Sequence, residues 1–71
     1  MNQLDAGCLT PLEHEIVFLI GQGYSVREIA HSTTLAPQTV DRHISICRRK
    51  TGARNNAHLV AAVLGSSPHS A

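Results

Sequence analysis

The stretch Pro37-Gln38-Thr39-Val40-Asp41-Arg42-His43-Ile44-Ser45-Ile46-Cys47-Arg48-Arg49-Lys50-Thr51 does most to restrict how this chain can fold. Proline suits the first position of a helix, because its missing N–H would find no partner there anyway. Gly52 follows where a helix can stop in left-handed backbone. Between them Val40, Ile44, Cys47 and Thr51 recur at the spacing of one helical face. Gln38, Arg42, Ser45 and Arg49 recur at the same spacing on the opposite face. The pattern predicts a helix that buries one stripe and offers the other. The offered stripe joins hydrogen-bonding groups to arginine, the chemistry that reads base edges in a major groove. Arg48, Lys50 and Thr39 lie to either side, where phosphates are met. A merely solvated face has the same look, and the preceding residues decide between the two.

Those residues hold two capping boxes. Thr10-Pro11-Leu12-Glu13 predicts a first helix over about 11–22, and Ser25-Val26-Arg27-Glu28 starts a second that runs to Ser32 or Thr33. Leu12, Ile16, Leu19 and Ile20 make the expected core stripe of the first, with Val17 on its flank and Phe18 pointing outward. Gly21 and Gly23 bracket its end. Val26, Ile29 and Ala30 face inward on the second helix, and Leu35 plugs the turn after it. Ala36 falls at the N-cap of the third helix, where Ser would be better by about 0.5–2 kcal/mol. Asn55 caps a fourth helix over 56–64, with the apolar stripe Leu59, Val60, Val63 and Leu64 and the small pair Ala61-Ala62. Residues 1–8 read as a flexible arm, 9–64 as one helix-turn-helix domain, and 65–71 as a disordered tail.

Seventy-one residues allow one small all-α domain. With one Phe and one Tyr, its core must be aliphatic. A chain this short is marginal alone, and dimerisation is a common remedy. The net charge of +1 hides an uneven distribution. Residues 1–36 set Asp5, Glu13, Glu15 and Glu28 against Arg27, whereas 37–51 set Arg42, Arg48, Arg49 and Lys50 against Asp41, and Arg54 adds one more positive charge. Positive charge gathers on one helix and the turn after it, as a phosphate-contacting surface requires. Cys8 and Cys47 form no disulfide framework: Cys47 lies on a buried stripe and Cys8 in the arm as a free thiol. The longest apolar run, Ile16 to Ile20, is too short to span a bilayer, and no signal peptide is visible. The expected location is the cytoplasm.

At this point the chain resembles the LuxR/FixJ-type (GerE-like) DNA-binding domain. The matching residues are Leu9-Thr10-Pro11-x-Glu13-x-Glu15, Gly23-x-Ser25-x-x-Glu28-Ile29-Ala30, Thr39-Val40-x-x-His43 and Gly52-x-Arg54-Asn55-x-Ala57-x-Leu59-Val60. They cover about residues 9–64 without an insertion. Part of the apolar stripe Leu59, Val60, Val63 and Leu64 is expected to pair two copies, while some of these residues also close the core. The resemblance implies four helices, with the third in the major groove of double-stranded DNA and the fourth carrying that dimer contact. It implies base contact at Asp41, Arg42 and Ser45, and backbone contact at Gln38, Thr39, Arg49, Lys50 and Arg54. Members commonly carry a basic residue where this chain has Asp41, a Ser where it has Ala36, and an apolar residue where it has Thr51. They usually carry an upstream receiver or small-molecule sensor as well. These 71 residues hold only the DNA-binding unit, either a piece of a larger regulator or a single-domain member.

Other chemistries fit poorly. His14, His31, His43, His58 and His69 form no pair with Cys or carboxylate at zinc-site spacing. There is no glycine-rich phosphate loop, and a domain this small has no deep pocket in which to orient a Ser, His and Asp. No metal, no cofactor and no catalysis are expected. The rival reading is a helix-turn-helix that docks on protein, either RNA polymerase or another transcription factor. A second resemblance, to the DNA-reading region of sigma factors, supports it.

Overall fold

The computed structural model describes residues 9–65. Among them lie four helices and no strand: α1 (Pro11–Gly21), α2 (Val26–Thr33), α3 (Pro37–Thr51) and α4 (Asn56–Leu64). The chain is all-α, as the periodicity requires. The arm expected at 1–8, with its Cys8, and the tail from 66 onward lie outside the described residues.

Local chemistry starts each helix. Glu13 N–H donates to Thr10 Oγ1 at 3.1 Å, and Thr10 N–H donates to Glu13 Oε1 at 3.0 Å. The reciprocal pair at Ser25 and Glu28 spans 3.1 and 2.8 Å. Each box satisfies N–H groups that the first turn leaves without a partner. Asn55 caps α4 by accepting from His58 N–H at 2.8 Å. Ala36 has the same extended backbone as the other caps but no side-chain bond to give, so Pro37 alone pre-sets the first turn of α3.

Endings are equally local. α1 stops at Gly21 with Gln22 as its C-cap, one residue earlier than expected. Gly52 closes α3 at φ +75°. α2 ends on Thr34 at φ +58°, a left-handed position held by a β-branched residue. Residues 34–36 then form the turn from α2 into α3, and the half-buried Leu35 in it packs against the core.

The core comprises Ile16, Val17, Ile29, Ala30, Val40, Ile44, Cys47 and Leu59. On α1 it differs from the stripe read off the sequence. Leu12, Leu19 and Ile20 are only half-buried at the rim, while Val17, expected on the flank, is fully enclosed along with Glu13. The reason is tertiary. α1 packs against α3 and α4 as well as α2, so its buried arc is centred on 13, 16 and 17 rather than on a single-partner stripe. A Cβ added at Gly21 would come 3.1 Å from Val60 Cγ1, so the last turn of α1 lies close against α4. No helix among the described residues is long and apolar enough to cross a membrane.

Candidate nucleic-acid interface

α3 presents the two faces that its spacing dictates. Val40, Ile44 and Cys47 are buried, and Thr51 is half-buried with its hydroxyl donating to the Cys47 carbonyl at 2.9 Å. Gln38, Asp41, Arg42, Ser45 and Arg49 are exposed along the opposite side, with Thr39 half-buried at the edge. Asp41, Arg42 and Arg49 make no ion pair among the described residues. Their charged groups stay available to a ligand. Arg54, in the loop after α3, is exposed too.

The remaining basic residues are drawn into the fold. Lys50 Nζ lies 2.8 Å from Glu13 Oε1, joining the end of α3 to the capped first turn of α1. His43, half-buried on α3, brings its Nδ1 to 3.9 Å from Glu13 Oε2, and that buried nitrogen has no hydrogen-bond partner among the described residues. Burial alone pushes the Glu13 carboxyl upward. Hydrogen bonds from Lys50 and from the Thr10 N–H, with the charges of Lys50 and His43, outweigh it and hold the carboxyl below its ordinary value. Sequence reasoning missed this cluster. Glu13 already had a role in its capping box, and Lys50 stands 37 residues away with no local pattern to join them.

Arg48 is also engaged: its guanidinium donates to the Arg54 carbonyl at 3.2 Å. The Arg54 N–H donates in turn to His58 Nδ1 at 3.2 Å. Together these bonds fix the loop that carries the Arg54 side chain outward. Cys47 is a core residue as expected. Burial and then the Glu13 carboxylate push its thiol up to about 11, so it is unreactive near neutrality.

Of the four residues on the apolar stripe of α4, Leu59 is the one that closes the core: it is completely enclosed within one copy. Val60, Val63 and Leu64 are half-buried, and the open side of α4 carries Ala57, His58, Ala61 and Ala62. No group of three or more His, Cys, Asp or Glu side chains suited to a metal ion occurs among the described residues.

A short helix braced behind a longer one, whose exposed stripe carries Gln, Ser and Arg, defines a helix-turn-helix DNA-binding domain of a transcription regulator. Residues 8–63 match the family described as bacterial regulatory proteins, luxR family, and the chain belongs to that family. It is 38% identical over 53 residues to the transcriptional activator protein BjaR1 of Bradyrhizobium diazoefficiens, a match that covers 75% of this chain and 22% of that protein. It is 35% identical over 54 residues to proteins of Mycobacterium bovis and Mycobacterium tuberculosis named as HTH-type transcriptional regulators, covering 76% of this chain and 6% of each. The chain thus spans a small part of the length of these curated relatives. No solved structure matches it significantly.

Proposed function

We propose that the protein binds double-stranded DNA sequence-specifically as a two-fold dimer, with α3 in the major groove, and regulates transcription in the cytoplasm without catalysis. The observation that carries this reading is the exposed stripe of α3, on which Arg42 and Arg49 have no ionic partner among the described residues. Arg42 reads a guanine through O6 and N7. Gln38, Asp41 and Ser45 share its face, Thr39 lies at its edge, and Arg49 and Arg54 meet phosphates. Lys50 and Arg48 act from behind, because their charged groups hold α3 against α1 and against its own following loop. The second copy docks on the open side of α4, where Ala57 and Ala61 permit close approach beside Val60, Val63 and Leu64.

The test is selection of bound sequences from random duplex DNA, followed by affinity against rising salt. Arg49 and Arg54 from each of two copies give about four phosphate contacts and a log–log slope of about −4. A protein partner such as RNA polymerase or another transcription factor is the second reading. It is favoured by Phe18 and Tyr24, each 47% exposed. Binding that shows no salt slope and enriches no sequence would leave that second reading standing in place of the first.

A further inference from the structure

We propose that Asp41 is a specificity residue that reads a cytosine, so that each half-site carries a cytosine whose N4 amino group donates to the Asp41 carboxylate. This deepens the DNA-reading proposal above and rests on it. Structural reasons for an aspartate at this position fail one by one. Asp41 is not in the first turn of α3, which holds no acidic residue, so it neither caps the helix nor answers its dipole. The positions three and four residues away are Pro37, Gln38, Ile44 and Ser45, and none is basic, so no ion pair along the helix is available. Arg42 is adjacent, and adjacent helical side chains diverge by about a hundred degrees. The side chain is exposed, with no ion pair or hydrogen bond among the described residues. Aspartate is also a poor helix former.

Its position is costly for binding any phosphate backbone. The chain carries a net charge of only +1, and this acid sits on the face that also bears Arg42 and Arg49. What a carboxylate can gain there follows from the donor pattern of the groove. It accepts and does not donate. Guanine shows only acceptors at O6 and N7, and thymine shows an acceptor at O4. Adenine sets its N6 donor beside the N7 acceptor, which repels a carboxylate. Cytosine offers the N4 donor with no acceptor beside it on its own edge. Only cytosine rewards an acid, and the other three bases make the existing repulsion worse. Asp41 and Arg42 then read opposite chemistries from neighbouring positions, a donor and a pair of acceptors.

The experiment compares the 71-residue chain with Asp41→Ala and Asp41→Asn, at one salt concentration. The probes are the duplex selected from a random pool and its full set of single-base variants. Wild type should show one cytosine per half-site whose replacement weakens binding roughly five- to hundredfold. Asp41→Ala should abolish that preference, tightening binding to the duplexes that lack the cytosine and removing the advantage of the selected duplex over them. Asp41→Asn should shift it to adenine, whose N6 and N7 an amide matches, with the guanine preference assigned to Arg42 unchanged. If Asp41→Ala tightens all duplexes equally and alters no base preference, Asp41 only repels phosphate and the inference fails while DNA reading survives. If wild type enriches no sequence from the pool, the DNA-reading proposal fails and this inference falls with it.

Discussion

Removing the Glu13 carboxylate should cost more than one hydrogen bond, because it also breaks the ion pair at 2.8 Å with the half-buried Lys50 ammonium. Glu13→Gln keeps the shape, and a loss of about 1–3 kcal/mol is expected in denaturant unfolding at neutral pH. The sign with pH follows from the direction of the shift. The folded carboxyl lies below its ordinary value of 4.5, so its contribution is complete above that value. It is lost as pH falls through the lower folded value. Wild-type stability should therefore drop as pH falls below 4.5, and Glu13→Gln should flatten that drop. An equally steep fall in the variant would mean that other carboxylates dominate. Arg42 and Arg49, both exposed on α3, should separate by role. Arg42→Ala should lose guanine preference at one position per half-site, at a cost of about 1–3 kcal/mol in discrimination. Arg49→Ala should weaken all sequences together and reduce the salt slope by about one. Affinities for the selected duplex and a single-base variant, measured across salt, distinguish these outcomes.

At the scale of the helix, α3 is the element with a defect that can be repaired. Ala36 has φ −74° and ψ 148°, close to Thr10 at −70° and 163° and Ser25 at −78° and 165°, both of which cap their helices. Ala36→Ser should place its hydroxyl where the N–H of Thr39 can donate to it. Thermal or urea unfolding should show a gain of about 0.5–2 kcal/mol. No change would indicate that the hydroxyl prefers solvent at this turn. Ala36 is exposed and makes no side-chain bond, so the substitution leaves the outward stripe as it is. DNA affinity should rise only by the fraction of α3 that frays in the free domain.

For the whole molecule, the question is how two copies meet. α4 leaves Ala57 and Ala61 exposed on its open side. Ala61→Glu adds a charge at an exposed position with little effect inside one copy, within about 0.5 kcal/mol of wild-type stability. It should nevertheless convert a two-protomer complex on a palindromic duplex into one protomer per half-site, as read by sedimentation. If the variant still binds as a pair, the contact lies elsewhere on the surface. Leu59→Ala is the contrasting change. It empties a fully enclosed site and should cost about 2–5 kcal/mol in the monomer itself, which makes it useless as a probe of pairing.

The sequence by itself determined most of what depends on the nearest four residues. The helix starts at Thr10, Ser25 and Asn55, the stop at Gly52, and the opposition of Val40, Ile44 and Cys47 to Gln38, Arg42, Ser45 and Arg49 were all legible. Caps and helical faces are local interactions, and their signatures lie within one or two turns. What only the tertiary structure decided depends on which helix covers which. Val17 is enclosed rather than flanking because α1 is packed by three helices. Leu59 goes to the core, and its neighbours Val60, Val63 and Leu64 to the rim, although all four share one stripe. Lys50 turns from the basic end of α3 to Glu13, far away in sequence, because burial of that carboxylate demands a cation. An apolar stripe announces that a face will be covered, and a cluster of bases announces positive charge. Neither carries the address of its partner, because that address is set by the packing of the other helices.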